Sequence, residues 1–137
     1  MSDASLRIAG IILVVVPTIE FGGWSLLRFL TRNEPGYLDN PLRRAFFTAG
    51  HAHAGVWVIL ALVGLLSVDG ADLSDGAKTV VRDSLGLAAI VTPSGFFLSI
   101  ASPRATRPNG FVVLIYLGAA LLAVGTVTLG VGLLRAT

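Results

Sequence analysis

The 137-residue chain contains no cysteine, and this absence excludes several kinds of site. Without thiols there is no disulfide framework, no thiolate-ligated metal site and no cysteine-bound iron–sulfur cluster. Charged residues are also scarce, at 13% against about 25% in a typical soluble domain, whereas 54% of the residues are apolar. This composition predicts an integral membrane protein, and the length suits a single domain over residues 1–137.

Basic residues are few and scattered. The formal net charge is only +2, and no basic run is interleaved with aromatic residues. Because nucleic-acid binding needs a concentrated positive surface, we expect no nucleic-acid partner. Only Arg7 precedes the first apolar run, and the small residues Ala9 and Gly10 lie before that run instead of after it. We therefore interpret the first segment as a retained helix and not as a cleaved leader.

Four apolar segments are long enough to be membrane spans. Each has close to the roughly 20 residues that cross about 30 Å of hydrocarbon. Such segments must be helical in lipid, where backbone groups find no water. The connections are short, so neighbouring helices should be antiparallel. The sequence thus predicts an all-α fold, an integral membrane up-down four-helix bundle, with helices at about 7–30, 45–68, 80–101 and 110–134.

Arginine placement predicts an orientation. Six arginines flank the first and third loops, and four basic residues lie on the opposite side with most of the acids. By the positive-inside bias, these two loops face the cytoplasm and both termini face outward. We expect an integral protein of a bacterial inner, or cell, membrane. The six arginines are Arg28, Arg32, Arg43, Arg44, Arg104 and Arg107.

The two histidines of the chain, His51 and His53, lie inside the second apolar segment. Ionisable groups in a spanning segment are costly and are a functional hypothesis by default. Residues two apart on a helix diverge by about 200°, so the pair cannot easily hold one ion. His53 shares its face with Gly50 and Trp57, and we interpret the surrounding small residues as space for a flat cofactor. The alternative is that both imidazoles are neutral, bonded to carbonyls, and only help helices pack.

Three other polar residues lie at a similar depth to the histidines. At 1.5 Å of rise per residue, Glu20, Ser94 and Tyr116 fall in the same half of the membrane, which predicts a site between helices. Glu20 would carry a proton or bond a histidine; alternatively it is a neutral carboxyl bonded to backbone. Pro17 predicts a bend in the first helix, and Pro93 predicts an irregularity in the third.

Glycines recur every seven residues in the fourth segment, at Gly118, Gly125 and Gly132. With Leu121 and Thr128 they form one helical face. Small residues let helices approach closely, so this is a packing face. The sequence leaves open whether the face packs within one chain or between subunits.

From about Phe21 onward the chain resembles the styrene oxide isomerase family of small four-helix membrane proteins. The matching segments are FGGWSLL in the first helix, PGY at 35–37, RAFFTAGHAHAG leading into the second helix, SGFFLS at 94–99 and RPNG at 107–110. The resemblance implies a homotrimer with haem b held by one histidine. It also implies that ferric iron, acting as a Lewis acid, opens a small epoxide to an aldehyde.

The family's ligand pattern, histidine, small residue, glycine, corresponds here to residues 53–55, so the resemblance implies His53 as the iron ligand. His51 is the alternative ligand. The family has a tyrosine where this chain has Phe97, and an asparagine where it has Ile59. Both polar groups help to place the substrate, so these departures weigh against isomerisation more than against haem binding. The expected haem-site residues are His53, Gly50, Ala54, Gly55, Trp57 and Phe97, and the candidate catalytic residues are Glu20, Ser94 and Tyr116.

Two other functions remain open at this point. One is a non-catalytic membrane haem protein for electron transfer or sensing, with His51 reaching an adjacent subunit. The other is a small membrane helper that binds a metal ion or a proton through Glu20 and the histidines. A small hydrophobic ligand is a further expected partner besides the lipid bilayer.

Overall fold

The computed structural model describes residues 1–137 and contains four long helices and no strand. The all-α prediction is therefore confirmed. Two short 3-10 turns precede the second loop and the fourth helix, at Val68–Gly70 and Gly110–Val112. The helices are α1 (Asp3–Thr31), α2 (Pro41–Ser67), α3 (Asp75–Ser99) and α4 (Val113–Arg135).

The first three helices begin earlier than hydropathy predicts. They start at residues 3, 41 and 75, against predicted starts of about 7, 45 and 80. In each case a polar side chain caps the helix: the oxygens of Ser2, Asn40 and Ser74 accept a backbone N–H three residues ahead. Such caps satisfy an N–H group that has no partner inside the helix. A prediction based on apolar runs misses these polar first turns.

Neither internal proline interrupts its helix. α1 continues through Pro17 and α3 continues through Pro93. The hydroxyl that follows each proline donates to a nearby carbonyl of the same helix: Thr18 to the carbonyl three residues back, and Ser94 to the carbonyl four residues back. The predicted irregularities are thus accommodated within continuous helices.

Helix α3 is the centre of the molecule. It packs extensively against both α2 and α4, whereas α1 packs chiefly on α2. Eleven residues of α3 are buried, against two of α1. The apolar core includes Leu85 of α3, which lies beside Leu65 of α2 and Leu129 of α4 in one buried cluster. The outer helices are consequently held to the molecule through α2 and α3.

Three helices are long and apolar enough to cross a membrane: α1, α2 with the turn that follows it, and α4 with the turn that precedes it. Helix α3 is not among them, because its first half carries Lys78, Arg82 and Asp83. Large apolar side chains lie on the outer surface, with Val14 80% exposed and Phe21 66% exposed. These features are consistent with an integral membrane protein in contact with lipid.

Hydrogen bonds connect the loops at the two ends of the molecule. At one end the Asn40 amide donates to the carbonyls of Pro103 (3.1 Å) and Ala105 (3.0 Å), which joins the first loop to the third. At the other end the Asp72 N–H donates to the Gly132 carbonyl (3.0 Å), which joins the second loop to α4. The first and third loops therefore lie together, as short connections between the helices require.

A charged cluster fixes the start of α1 against α3. The Arg82 guanidinium pairs with Asp69 at 2.6 Å, and its Nε donates to the Ser5 hydroxyl at 2.9 Å. The backbone N–H of Ser2 donates to the second Asp69 oxygen at 2.6 Å. Arg82 is buried, so these bonds compensate for the lost hydration of its charge.

The glycine face of α4 packs within the chain. Gly118, Gly125 and Gly132 are all buried, and a Cβ at any of them would collide with a neighbour. The colliding side chains belong to α3 and to the second loop, namely Thr92, Leu85 and Leu73. The question left open by the sequence is thus answered, and this face contributes nothing to the argument for a trimer.

Candidate functional site

A partly open cavity of about 500 Å³ lies between α1, α2 and α3. Eighteen residues line it, of which 12 are hydrophobic, and none is an acid, a lysine or an arginine. The polar side chains that line the cavity are His51, Ser94, Ser25 and Thr18. An apolar cavity with a few polar groups is typical of a site for a small molecule.

His51 extends from α2 toward α1, where two glycines leave room for its ring. A Cβ at Gly23 would lie 3.0 Å from the His51 Cε1 and 3.1 Å from its Nε2. A Cβ at Gly22 would lie 3.7 Å from Nδ1, which is an ordinary contact. Gly23 therefore allows the imidazole to sit directly against the α1 backbone. Of the two histidines, only His53 makes a hydrogen bond with another protein group.

The hydroxyl groups of the cavity have their protons committed to their own helices. Thr18 donates to the Val15 carbonyl at 2.7 Å, Ser25 to the Phe21 carbonyl at 2.8 Å, and Ser94 to the Ile90 carbonyl at 2.7 Å. Their oxygens can still accept hydrogen bonds. The cavity therefore offers several acceptors, while His51 is the one lining side chain with an N–H to donate.

Aromatic rings close the end of the cavity that lies nearest the first loop. The Phe47 ring is 5.3 Å from that of Phe97 and 6.5 Å from that of Phe29. Tyr37, which is 1% exposed, packs on the same rings. The Arg43 guanidinium lies 4.6 Å from the Phe47 centroid and donates to a first-loop carbonyl. This end of the cavity is consequently fixed by aromatic packing and a cation–π contact.

His53 lies outside the cavity, on another face of α2. Its Nδ1 is 2.7 Å from the Ala49 carbonyl, and because a carbonyl only accepts, Nδ1 carries the proton. Nε2 makes no hydrogen bond within the chain, so it is the ring nitrogen that could ligate a metal. The ring packs against Phe96 of α3 (4.9 Å between centroids) and against Trp57 (5.4 Å).

The structure divides the expected haem-site residues between these two faces. Ala54 and Phe97 line the cavity together with His51. Trp57 lies beside His53 and does not line the cavity. The helical angle between the two histidines, rather than their closeness in sequence, decides which neighbours each one meets.

Gly50 and Gly55, two of the small residues interpreted as space for a cofactor, have different surroundings. A Cβ at Gly50 would lie 2.8 Å from the Cβ of Phe96, so α3 already fills that space. A Cβ at Gly55 would meet nothing within 4 Å. Gly50 thus serves close packing of α2 on α3, and open space near the histidines lies on the Gly55 side.

Of the three polar residues predicted to lie at the depth of the histidines, one lines the cavity with His51 and two do not. Ser94 lines the cavity with His51, but Glu20 and Tyr116 are exposed and do not line it. Tyr116 is 70% exposed on the outer surface of α4. The depth estimate gives height along a helix and not direction around it; Glu20 points about 100° away from Ile19, which does face the cavity.

No three side chains of histidine, aspartate or glutamate lie close enough together to hold a metal ion. Glu20, the acid expected to bond a histidine, is exposed and does not line the cavity that holds His51. The arrangement of these side chains therefore gives no support to a metal site built from Glu20 and the histidines, one of the alternatives left open by the sequence.

Sequence reasoning missed the face of α1 that forms the cavity wall. A signal for it is present, because small, polar and apolar residues alternate there at spacings of three and four, which is one face of a helix. That spacing identifies the face but not the side chains opposite it. The residues are Val15, Thr18, Gly22, Ser25 and Phe29.

Helix α2 thus presents its two histidines on different faces, with His51 lining the cavity and His53 packed beside Phe96 and Trp57. Comparison with known proteins assigns neither of them: no family model, no curated protein and no solved structure matches the chain.

Proposed function

We propose that the chain is a membrane-embedded haem b-binding protein in which His53 is the axial ligand. The observation that carries this proposal is the hydrogen bond from His53 Nδ1 to the Ala49 carbonyl, which leaves Nε2 free. A hydrogen bond from the ring nitrogen that does not bind the metal fixes the tautomer and the ring orientation of a ligating histidine. The membrane location rests on the three apolar helices, with the first and third loops proposed to face the cytoplasm.

The residues around His53 fit this role as one wall of a site. The ring is half-buried, and Val56, which follows His53 by three residues and so shares its side of α2, is 60% exposed. A flat macrocycle at this surface would have its other face covered by a second copy of the chain. This agrees with the homotrimer that the resemblance to the epoxide isomerases implies.

A ferric haem would supply a Lewis acid, and opening of a small epoxide to a carbonyl is the reaction that the resemblance implies. None of the candidate catalytic residues lies with His53 in this chain: Ser94 faces the cavity, and Glu20 and Tyr116 are exposed. The main proposal is therefore haem binding, and it does not depend on epoxide opening. Catalysis is a separate addition to this proposal, and it is tested by measuring whether the purified protein converts styrene oxide to phenylacetaldehyde.

We expect a His53→Ala variant to lose most of its haem, because the one protein bond to iron is removed. The measurement is the Soret absorbance and pyridine haemochrome content of protein expressed with haem supplementation and purified in detergent. His51→Ala is the matched control and should retain its haem, since His51 faces α1 of its own chain. A wild-type protein without a Soret band overturns the proposal, and a His53→Ala variant with normal haem content overturns the ligand assignment.

The same spectra separate ligand-binding haem from electron-transfer haem. Because His51 packs against Gly23 within its own chain, we expect no second protein ligand and a five-coordinate, high-spin ferric spectrum. A six-coordinate low-spin spectrum that disappears in His51→Ala would instead support bis-histidine ligation and electron transfer.

A further inference from the structure

We propose that the cavity between α1, α2 and α3 binds a small, uncharged, largely apolar molecule that carries one hydroxyl group, with His51 as its hydrogen-bond partner. The inference concerns a different face of α2 from the His53 site and does not depend on haem binding. It rests on the shape of the cavity, on its lining and on the unpaired imidazole.

The lining excludes a charged ligand. No acidic or basic side chain other than the imidazole lines the cavity, and 12 of its 18 residues are hydrophobic. An ion transferred there would lose its hydration without gaining a counter-ion, which is prohibitive. An apolar body is favoured instead, because binding removes its apolar surface from water.

The unpaired imidazole requires one polar group on the ligand. His51 makes no hydrogen bond within the chain, and its half-buried imidazole lies among mostly apolar side chains, where a polar group without a partner is costly. A partner that bonds it relieves this cost. The ligand therefore carries its polar atom close to His51, on the side of the cavity where Gly22 of α1 faces the imidazole.

The balance of donors and acceptors favours a hydroxyl over a carbonyl or an ether. Ser25, Ser94 and Thr18 have already donated their protons to backbone carbonyls, so they can only accept. A carbonyl on the ligand would find one donor, the His51 N–H. A hydroxyl can accept from that N–H or donate to the other imidazole nitrogen or to Ser94, so it matches every polar group present.

The cavity is preformed and of suitable size. Its volume of about 500 Å³ lies within the range of about 300–1,000 Å³ that is typical of small-molecule sites. Its aromatic end is fixed by Phe47 and Phe97, and the start of α1 is fixed by the Arg82 cluster. A ligand would bind without the cost of ordering these elements.

The test uses ¹⁹F NMR to measure the binding of three matched probes to the protein in detergent. They are 4-(trifluoromethyl)phenol, the corresponding acetophenone, which only accepts, and the corresponding toluene, which has no polar oxygen. We expect a saturable bound resonance for the phenol and weaker binding of the other two. His51→Phe keeps a ring in place but removes both nitrogens, so we expect phenol affinity to fall about tenfold while toluene binding is unchanged.

Two further variants serve as controls for this test. Ala54→Leu fills the cavity from α2 and should abolish the bound phenol resonance even if His51→Phe fails to fold. His53→Phe removes the proposed haem ligand and should leave phenol binding intact, so failure of haem binding and failure of this inference are distinguishable. The inference is overturned by the absence of a saturable resonance, by equal affinity for phenol and toluene or acetophenone, or by unchanged phenol affinity in His51→Phe.

Discussion

A Gly118→Ala variant is expected to lose about 2 kcal/mol of unfolding free energy, although alanine is intrinsically the better helix former. The added Cβ would overlap the Thr92 hydroxyl and lie 3.0 Å from the Thr92 backbone nitrogen. Rotating the hydroxyl away relieves only the first contact. The second is with backbone, so α4 must move from α3 along its most extensive interface. The measurement is SDS-induced unfolding in mixed micelles, followed by circular dichroism.

Gly130 provides the matched control on the same helix. A Cβ there meets nothing within 4 Å, so Gly130→Ala should be neutral or stabilise by up to about 1 kcal/mol through helix propensity. The expected difference between the two variants is thus about 3 kcal/mol. Equal effects at the two positions would contradict the placement of the glycine face against α3.

Replacing Arg82 by methionine is expected to destabilise the fold by about 3 kcal/mol. The guanidinium is 10% exposed and Asp69 is 24% exposed, so removing the cation leaves a partly desolvated carboxylate without its counter-ion. The Ser5 hydroxyl loses its donor at the same time. Methionine retains most of the buried apolar stem, so the loss reports mainly on charge and hydrogen bonding. Unfolding in mixed micelles again gives the free energy.

Arg7→Met is the control for the removal of a positive charge near the same end of the molecule. Arg7 is exposed and belongs to no ion pair, so a change below about 0.5 kcal/mol is expected. A double-mutant cycle with Asp69→Asn isolates the pair. Additive effects of Arg82→Met and Asp69→Asn would show that the two side chains are not coupled, contrary to the 2.6 Å contact.

Hydropathy and spacing predict the all-helical fold class, the number of helices, and that the first and third loops lie together. Each of these depends on the local sequence pattern and on the length of the connections. They do not predict where helices begin when polar caps precede the apolar run, as at Asn40 and Ser74. The caps are visible in sequence, however, since Pro41 follows Asn40 and an acidic residue follows Ser74.

The candidate sites were only partly predictable. Spacing on α2 correctly separates His51 from His53, but it cannot say which face meets α1. That depends on the rotation of each helix about its axis, which is set by packing with residues distant in sequence. Because the sequence does not give this rotation, it could not predict that Glu20 and Tyr116 lie outside the cavity although their depth was compatible with it.

The central position of α3 has a consequence for synthesis in the membrane location that we propose. Helix α3 is the most buried of the four and is not among those apolar enough to span alone. Its charged first half would enter a bilayer unassisted only at considerable cost. Helix α4 follows it after a short loop and packs closely along it. The translocation machinery would therefore have to integrate α3 and α4 together as a helical hairpin, so truncation before α4 should leave α3 outside the membrane.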